Sequence, residues 1–116
     1  MDIVTFREYC LSKPHTSEHL PFDETTLVFK VGTRMFALCD IDRFRSINLK
    51  CDPEQAIQLR EAYPAIRPGY HMSKVHWNTI ELDGSLDDSF ILGLVDHSYE
   101  LVWKSMTKAE RTKLNG

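Results

Sequence analysis

Two β-rich runs, Leu27-Val28-Phe29-Lys30-Val31 and Arg34-Met35-Phe36-Ala37-Leu38-Cys39, stand on either side of Gly32-Thr33. A two-residue loop opening on glycine is the short-range signature of a β-hairpin, so the chain must accommodate an antiparallel pair. A third run, Phe44 to Cys51, alternates. Ile47, Leu49 and Cys51 fall on one side, and Ser46, Asn48 and Lys50 on the other, as in a strand with one buried face. Such a sheet needs apolar cover on one side.

The flanking segments supply that cover as helices. Asp2 caps a first helix that carries Ile3, Phe6 and Cys10 on one face and stops near Lys13, before Pro14. Asp52-Pro53-Glu54-Gln55 opens a second with a cap acid, proline at the first position and an acid at the positive end of the dipole. Its inward stripe is Ala56, Leu59 and Tyr63, and Pro64 ends it. After a strand from Trp77 to Leu82, the Ser85-Leu86-Asp87-Asp88 start leads into Phe90, Ile91, Leu94, Val95, Leu101 and Val102, the strongest helical periodicity in the chain and the main cover of the sheet. Thr107-Lys108-Ala109-Glu110 restarts a short, polar, frayed helix. His15 to Glu24 reads as an ordered loop pinned by Leu20 and Phe22.

With 116 residues the chain makes one domain, residues 1–116, with a core large enough to need neither disulfide nor metal. No apolar run approaches a membrane span, and the acids near the start do not resemble a secretory signal, so a cytoplasmic location is expected. Cys10, Cys39 and Cys51 are widely spaced and odd in number, which suits a reduced compartment and buried thiols better than zinc or a nucleophile. His15 and His19 read as solvated loop residues. The formal net charge of −3 gives no global attraction to polyanions, so nucleic-acid binding requires a local patch.

One stretch is chemically dense: Pro68-Gly69-Tyr70-His71-Met72-Ser73-Lys74-Val75-His76-Trp77. It connects a helix-like segment to a strand, the kind of rigidly framed loop on which function concentrates.

Several motifs in order carry a family likeness: Leu20-Pro21-Phe22-Asp23, Leu27 to Gly32, Met35-Phe36-Ala37-Leu38, Leu49-Lys50-Cys51-Asp52-Pro53-Glu54, Pro68-Gly69-Tyr70-His71-Met72, His76-Trp77 and Ser98-Tyr99-Glu100-Leu101-Val102. Together they resemble the MmcQ/YjbR family. The resemblance implies a fold like secretion chaperones and frataxin-like proteins, DNA binding as the usual description, and no agreed enzymatic activity. The expected class is α+β: an antiparallel sheet of about five strands with helices on one face, in the order helix, three strands, helix, one or two strands, helix.

With helices on the apolar face, the other face gathers Val28, Lys30, Ser46, Asn48, Lys50, Trp77 and Thr79, with Arg67, His71 and Lys74 near its rim. Lysines and arginine suit phosphate, and an exposed Trp77 offers a stacking surface. The candidate DNA-binding residues are therefore Lys30, Lys50, Arg67, His71, Lys74, His76 and Trp77. The alternative is a protein-interaction or chaperone-like module, or a homodimer, using Val28, Met35, Ala37 and Trp77 as an apolar patch. No nucleophile elbow, phosphate loop or paired metal-ligand motif accompanies the histidines, so neither an enzyme nor a cofactor is expected. Helix one has only Asp2 and Glu8 to offer iron.

Overall fold

The computed structural model describes residues 1–116. Its elements run α1 (Ile3–Leu11), β1 (Thr16–His19), β2 (Thr26–Val31), β3 (Arg34–Asp40), β4 (Ser46–Lys50), α2 (Pro53–Ala62), β5 (Ile66–Pro68), β6 (Trp77–Glu81), α3 (Asp88–Ser105) and α4 (Lys108–Asn115). The strands form one antiparallel sheet in the order β1-β2-β3-β4-β6-β5. No helix is long and apolar enough to cross a membrane.

The helices cover one face, as the alternation requires. Leu27, Phe29, Val31, Ala37, Cys39, Ile47, Leu49, Ile66 and Ile80 of the sheet pack with Phe6 and Cys10 of α1, with Ile91, Leu94, Val95 and Val102 of α3, and with Met106. Phe6 sets its ring edge against Phe29 at 5.6 Å between centroids. Asp2 and Asp52 cap α1 and α2 by accepting from the Thr5 and Gln55 amides at 2.7 and 3.1 Å. α3 starts at Asp88, while Ser85 is held in a turn by Asp83, which accepts from its amide and hydroxyl at 2.9 and 2.6 Å.

One irregularity fixes the hairpin. Phe29 pairs with Ala37 but Lys30 pairs with Met35, so Phe36 is an extra residue in β3 and turns inward beside Ala37. This β-bulge puts Ala37 in the main core, against the expectation that it would join Val28 on the opposite face. It also takes backbone groups out of the ladder. Ser98 of α3, fully buried, serves them: its Oγ donates to the Phe36 carbonyl at 2.5 Å and accepts from the Lys50 amide at 2.9 Å. Ser98→Ala is expected to cost about 1–3 kcal/mol in urea unfolding, because both groups lose their partner while little volume changes. A change within error would mean that water replaces the hydroxyl.

The sheet has six strands rather than about five. The segment expected as a loop after residue 14 contains β1, whose Glu18 carboxylate holds Arg7 through Nε and Nη2 at 2.6 and 2.8 Å. Leu20 and Phe22 do not pin that segment, since they are 49% and 64% exposed. The last helix is docked rather than frayed. Leu114 reaches Gly32, Arg34 pairs with Glu110 at 3.1 Å, and His15 Nε2 lies 2.8 Å from Asn115 Oδ1. α1 is tied to α3 where Tyr9 and Lys13 both donate to Asp96; despite partial burial, these bonds hold the Asp96 carboxyl below its usual range.

Candidate nucleic-acid interface on the open sheet face

The face away from the helices is ordered by strand register into three levels. At one end Ser17, Lys30 and Met35 stand in line, with Lys50 beside Trp77. The middle level is His19, Val28, Leu38, Asn48, Thr79 and Arg67. The far end pairs Thr26 with Asp40 and Ser46 with Glu81. The face is basic at one end and acidic at the other.

The dense connection folds back across this face and is fixed at both ends. At its start Gly69 and Trp77 approach so closely that the Gly69 amide donates to the Trp77 carbonyl at 2.8 Å, and a Cβ on residue 69 would lie 2.8 Å from that of Trp77. The Tyr70 amide donates to Thr79 Oγ1 at 2.9 Å, which donates in turn to Asn48 Oδ1 at 2.5 Å. At its end Arg60 of α2 donates through Nε to Asn78 Oδ1 at 2.7 Å and through Nη2 to the carbonyls of Lys74 and Trp77. Met72 then packs on Val28, Leu38 and Trp77, a small second core on the open side.

Trp77 is therefore buried, with 7% of its surface exposed, and is not the stacking platform expected from alternation. Alternation places it on the correct face, opposite Asn78 and Ile80 in the strand, but the connection covers it. Lys30 and Lys50 lie half-buried on that face, with Lys74 and His76 exposed in the connection on the Lys50 side, where the His76 carbonyl accepts from the Cys51 amide at 2.8 Å. None of these four makes an ion pair, although Lys74 Nζ donates to the Gly69 carbonyl at 3.1 Å. Arg67 is apart from them, paired with Glu81 at the β5 edge. His71, with left-handed backbone at φ 58°, sets its ring tilted at 49° against Tyr70 with 4.0 Å between centroids, and lines the cleft at the acidic end.

That acidic end contains a cleft of about 590 Å³ between residues 20–26 and the connection, with Phe22, Asp23, Asp40, Ser46, Asn48 and Tyr70 in its walls. Asp23 is held by the Thr25 and Thr26 amides at 2.9 and 2.6 Å, and these bonds keep its carboxyl below the usual range. Phe22 and Asp23 stand out in the sequence only within a family motif, Ser46, Asn48 and Tyr70 only on the open face and in the dense connection, and Asp40 not at all, and nothing in the sequence joins them into one cleft. The available signal was an Asp-x-Thr-Thr turn beside an exposed Phe22. The three thiols are all free and buried; burial pushes Cys39 up to about 12 and Cys51 up to about 11, which leaves both as neutral thiols near pH 7.

A six-stranded antiparallel sheet, helices on one face and a tethered connection on the other define a small α+β domain. The YjbR family profile matches residues 11–101, and the chain belongs to the YjbR family. It is 35% identical over 115 residues to the uncharacterized protein YjbR of Escherichia coli K12, covering 98% of both chains. It is also 30% identical to the uncharacterized protein YbdF of Escherichia coli O157:H7, over 95% of this chain and 91% of that one. The crystal structure of Deinococcus radiodurans protein DR2400 superposes with a TM-score of 0.92 at 45% identity, over 97% of this chain and 87% of that one. A crystal structure of a Pseudomonas syringae protein gives 0.73 at 30% identity, over 88% and 99%.

Proposed function

We propose that the protein is a non-enzymatic module that binds DNA weakly and with little sequence preference, through phosphates at the basic end of the open face. The observation that carries this reading is the grouping of lysines without ion pairs: Lys30 and Lys50 lie at one end of the open face with Lys74 and the His76 imidazole exposed on the Lys50 side, while Asp40 and Glu81 stand at the other end of the strands. Lys30 and Lys50 are two strands apart, about 10 Å, a separation suited to different phosphates. With Trp77 covered, the contacts are electrostatic rather than stacking, so affinity should be low and salt-sensitive. Arg67 contributes less than the lysines because Glu81 already neutralises it. Three free, buried thiols support work in a reducing compartment such as the cytoplasm.

Fluorescence anisotropy on a labelled duplex at several salt concentrations tests this. Contacts to about three phosphates give a log-log salt slope near −3, and Lys30→Ala with Lys50→Ala should make it about two units shallower. Absence of binding at low salt, or binding indifferent to both lysines, would sink the reading in favour of protein interaction.

A further inference from the structure

The cleft at the acidic end has a composition that phosphate binding does not use. We propose that it binds a small organic cation, a guanidinium or ammonium group carried on apolar carbon. Three independent features converge there. Asp23 and Asp40 bring two carboxylates into the lining, and neither is ion-paired. Asp23 spends its oxygens on the amides and hydroxyls of Thr25 and Thr26, so it acts as a fixed charge. Asp40 accepts only from the Asp42 amide, at 2.9 Å through Oδ1, which leaves Oδ2 for a ligand.

Second, Phe22 and Tyr70 border the cleft from opposite segments and are 64% and 68% exposed. Large aromatic faces left in water beside uncompensated carboxylates are the combination that recognises organic cations, since the ring quadrupole and the carboxylate attract the same charge. Third, the space is of small-molecule size, about 590 Å³, with Leu38 and Met72 as an apolar floor and Ser46 and Asn48 as polar groups. Its walls are held: Asn48 accepts from Thr79, Thr79 accepts from the Tyr70 amide, and Ile41 donates to the Thr25 carbonyl at 2.9 Å. An anion would meet repulsion, and a purely apolar ligand would strand the Asp40 carboxylate without water.

Amide chemical shifts in NMR titrations with N-acetyl-argininamide, against its neutral isostere N-acetyl-citrullinamide, test the proposal. The arginine compound should shift the amides of Thr26, Asp40, Asn48 and His71 with a Kd on the order of 1 mM, and the citrulline compound should bind at least about tenfold more weakly. Asp40→Asn, which keeps the acceptor for the Asp42 amide, should weaken binding about tenfold, and Tyr70→Ala about two- to fivefold. Lys30→Ala with Lys50→Ala should leave it unchanged, which separates this site from phosphate binding. Equal binding of the two compounds, indifference to Asp40→Asn, or shifts confined to other surfaces would overturn the assignment. So would a glycine-flanked arginine peptide binding more than about tenfold tighter, which would mark the occupant as a polypeptide.

Discussion

Leu94→Ala is expected to destabilise the protein by about 2–5 kcal/mol in urea denaturation. Leu94 is 8% exposed and sits midway along α3, which supplies the main cover of the sheet together with Ile91, Val95 and Val102. Truncation removes three carbons from a site whose neighbours are held by the sheet on one side and by the Ser98 bridge four residues on. The cavity therefore cannot close by a shift of α3 without breaking the bonds to Phe36 and Lys50. The change in midpoint should come without a change in slope, since the unfolded surface is the same. A loss below about 0.5 kcal/mol would place Leu94 outside the load of the core.

Gly69→Ala is the second large effect, expected to cost about 1–3 kcal/mol by overpacking and to act on the open face. A methyl group there meets Trp77 Cβ at 2.8 Å and the Trp77 carbonyl oxygen at 3.0 Å, both at a buried strand start with no room to yield. The connection must lift, losing the amide bond to Trp77 and the cover that Met72 gives. The readout is Trp77 fluorescence in a Trp103→Phe background, chosen because Trp103 is half-exposed and stacks on His15 at 5.8 Å. The parent should emit in the blue and resist iodide; the alanine variant should emit further to the red and quench. Unchanged emission and stability would mean that the connection accommodates the methyl group while Trp77 stays covered.

The hairpin, the alternating β4 and the capped start of α2 were legible because each is decided by local chemistry: glycine in a turn, period-2 burial, and an Asp-Pro opening. β1 was not. Thr16-Ser17-Glu18-His19 has no apolar alternation, and its conformation comes from pairing with β2 and from Arg7, both tertiary. β5 is three residues ending in proline, legible only once β6 is beside it. Ala37 went to the wrong face because the bulge at Phe36 shifts the parity of β3, and nothing local announces a bulge that a serine 62 positions later completes. For the candidate site, parity correctly grouped Lys30, Lys50 and Trp77. It carried no information on whether the loop above would lie open or closed, and Trp77 depends on that. Arg67 and Glu81 come together only through the β5–β6 pairing.

The separation of charge along the open face also bears on how the protein meets anything charged. A net charge of −3 describes the far field, where the molecule is weakly repelled by polyanions. Within about a Debye length, roughly 8 Å at physiological ionic strength, the two ends act separately, and the face behaves as a dipole lying along the strands. Such a molecule experiences a torque before it experiences a net attraction. On the proposed DNA-binding reading it would turn the Lys30 and Lys50 end toward a polyanion and hold the Asp40 end away, so that contact would be made with one end of the face rather than its full length. The footprint of the proposed contact would then be short, and lengthening the polyanion would add sites for independent copies rather than affinity for one.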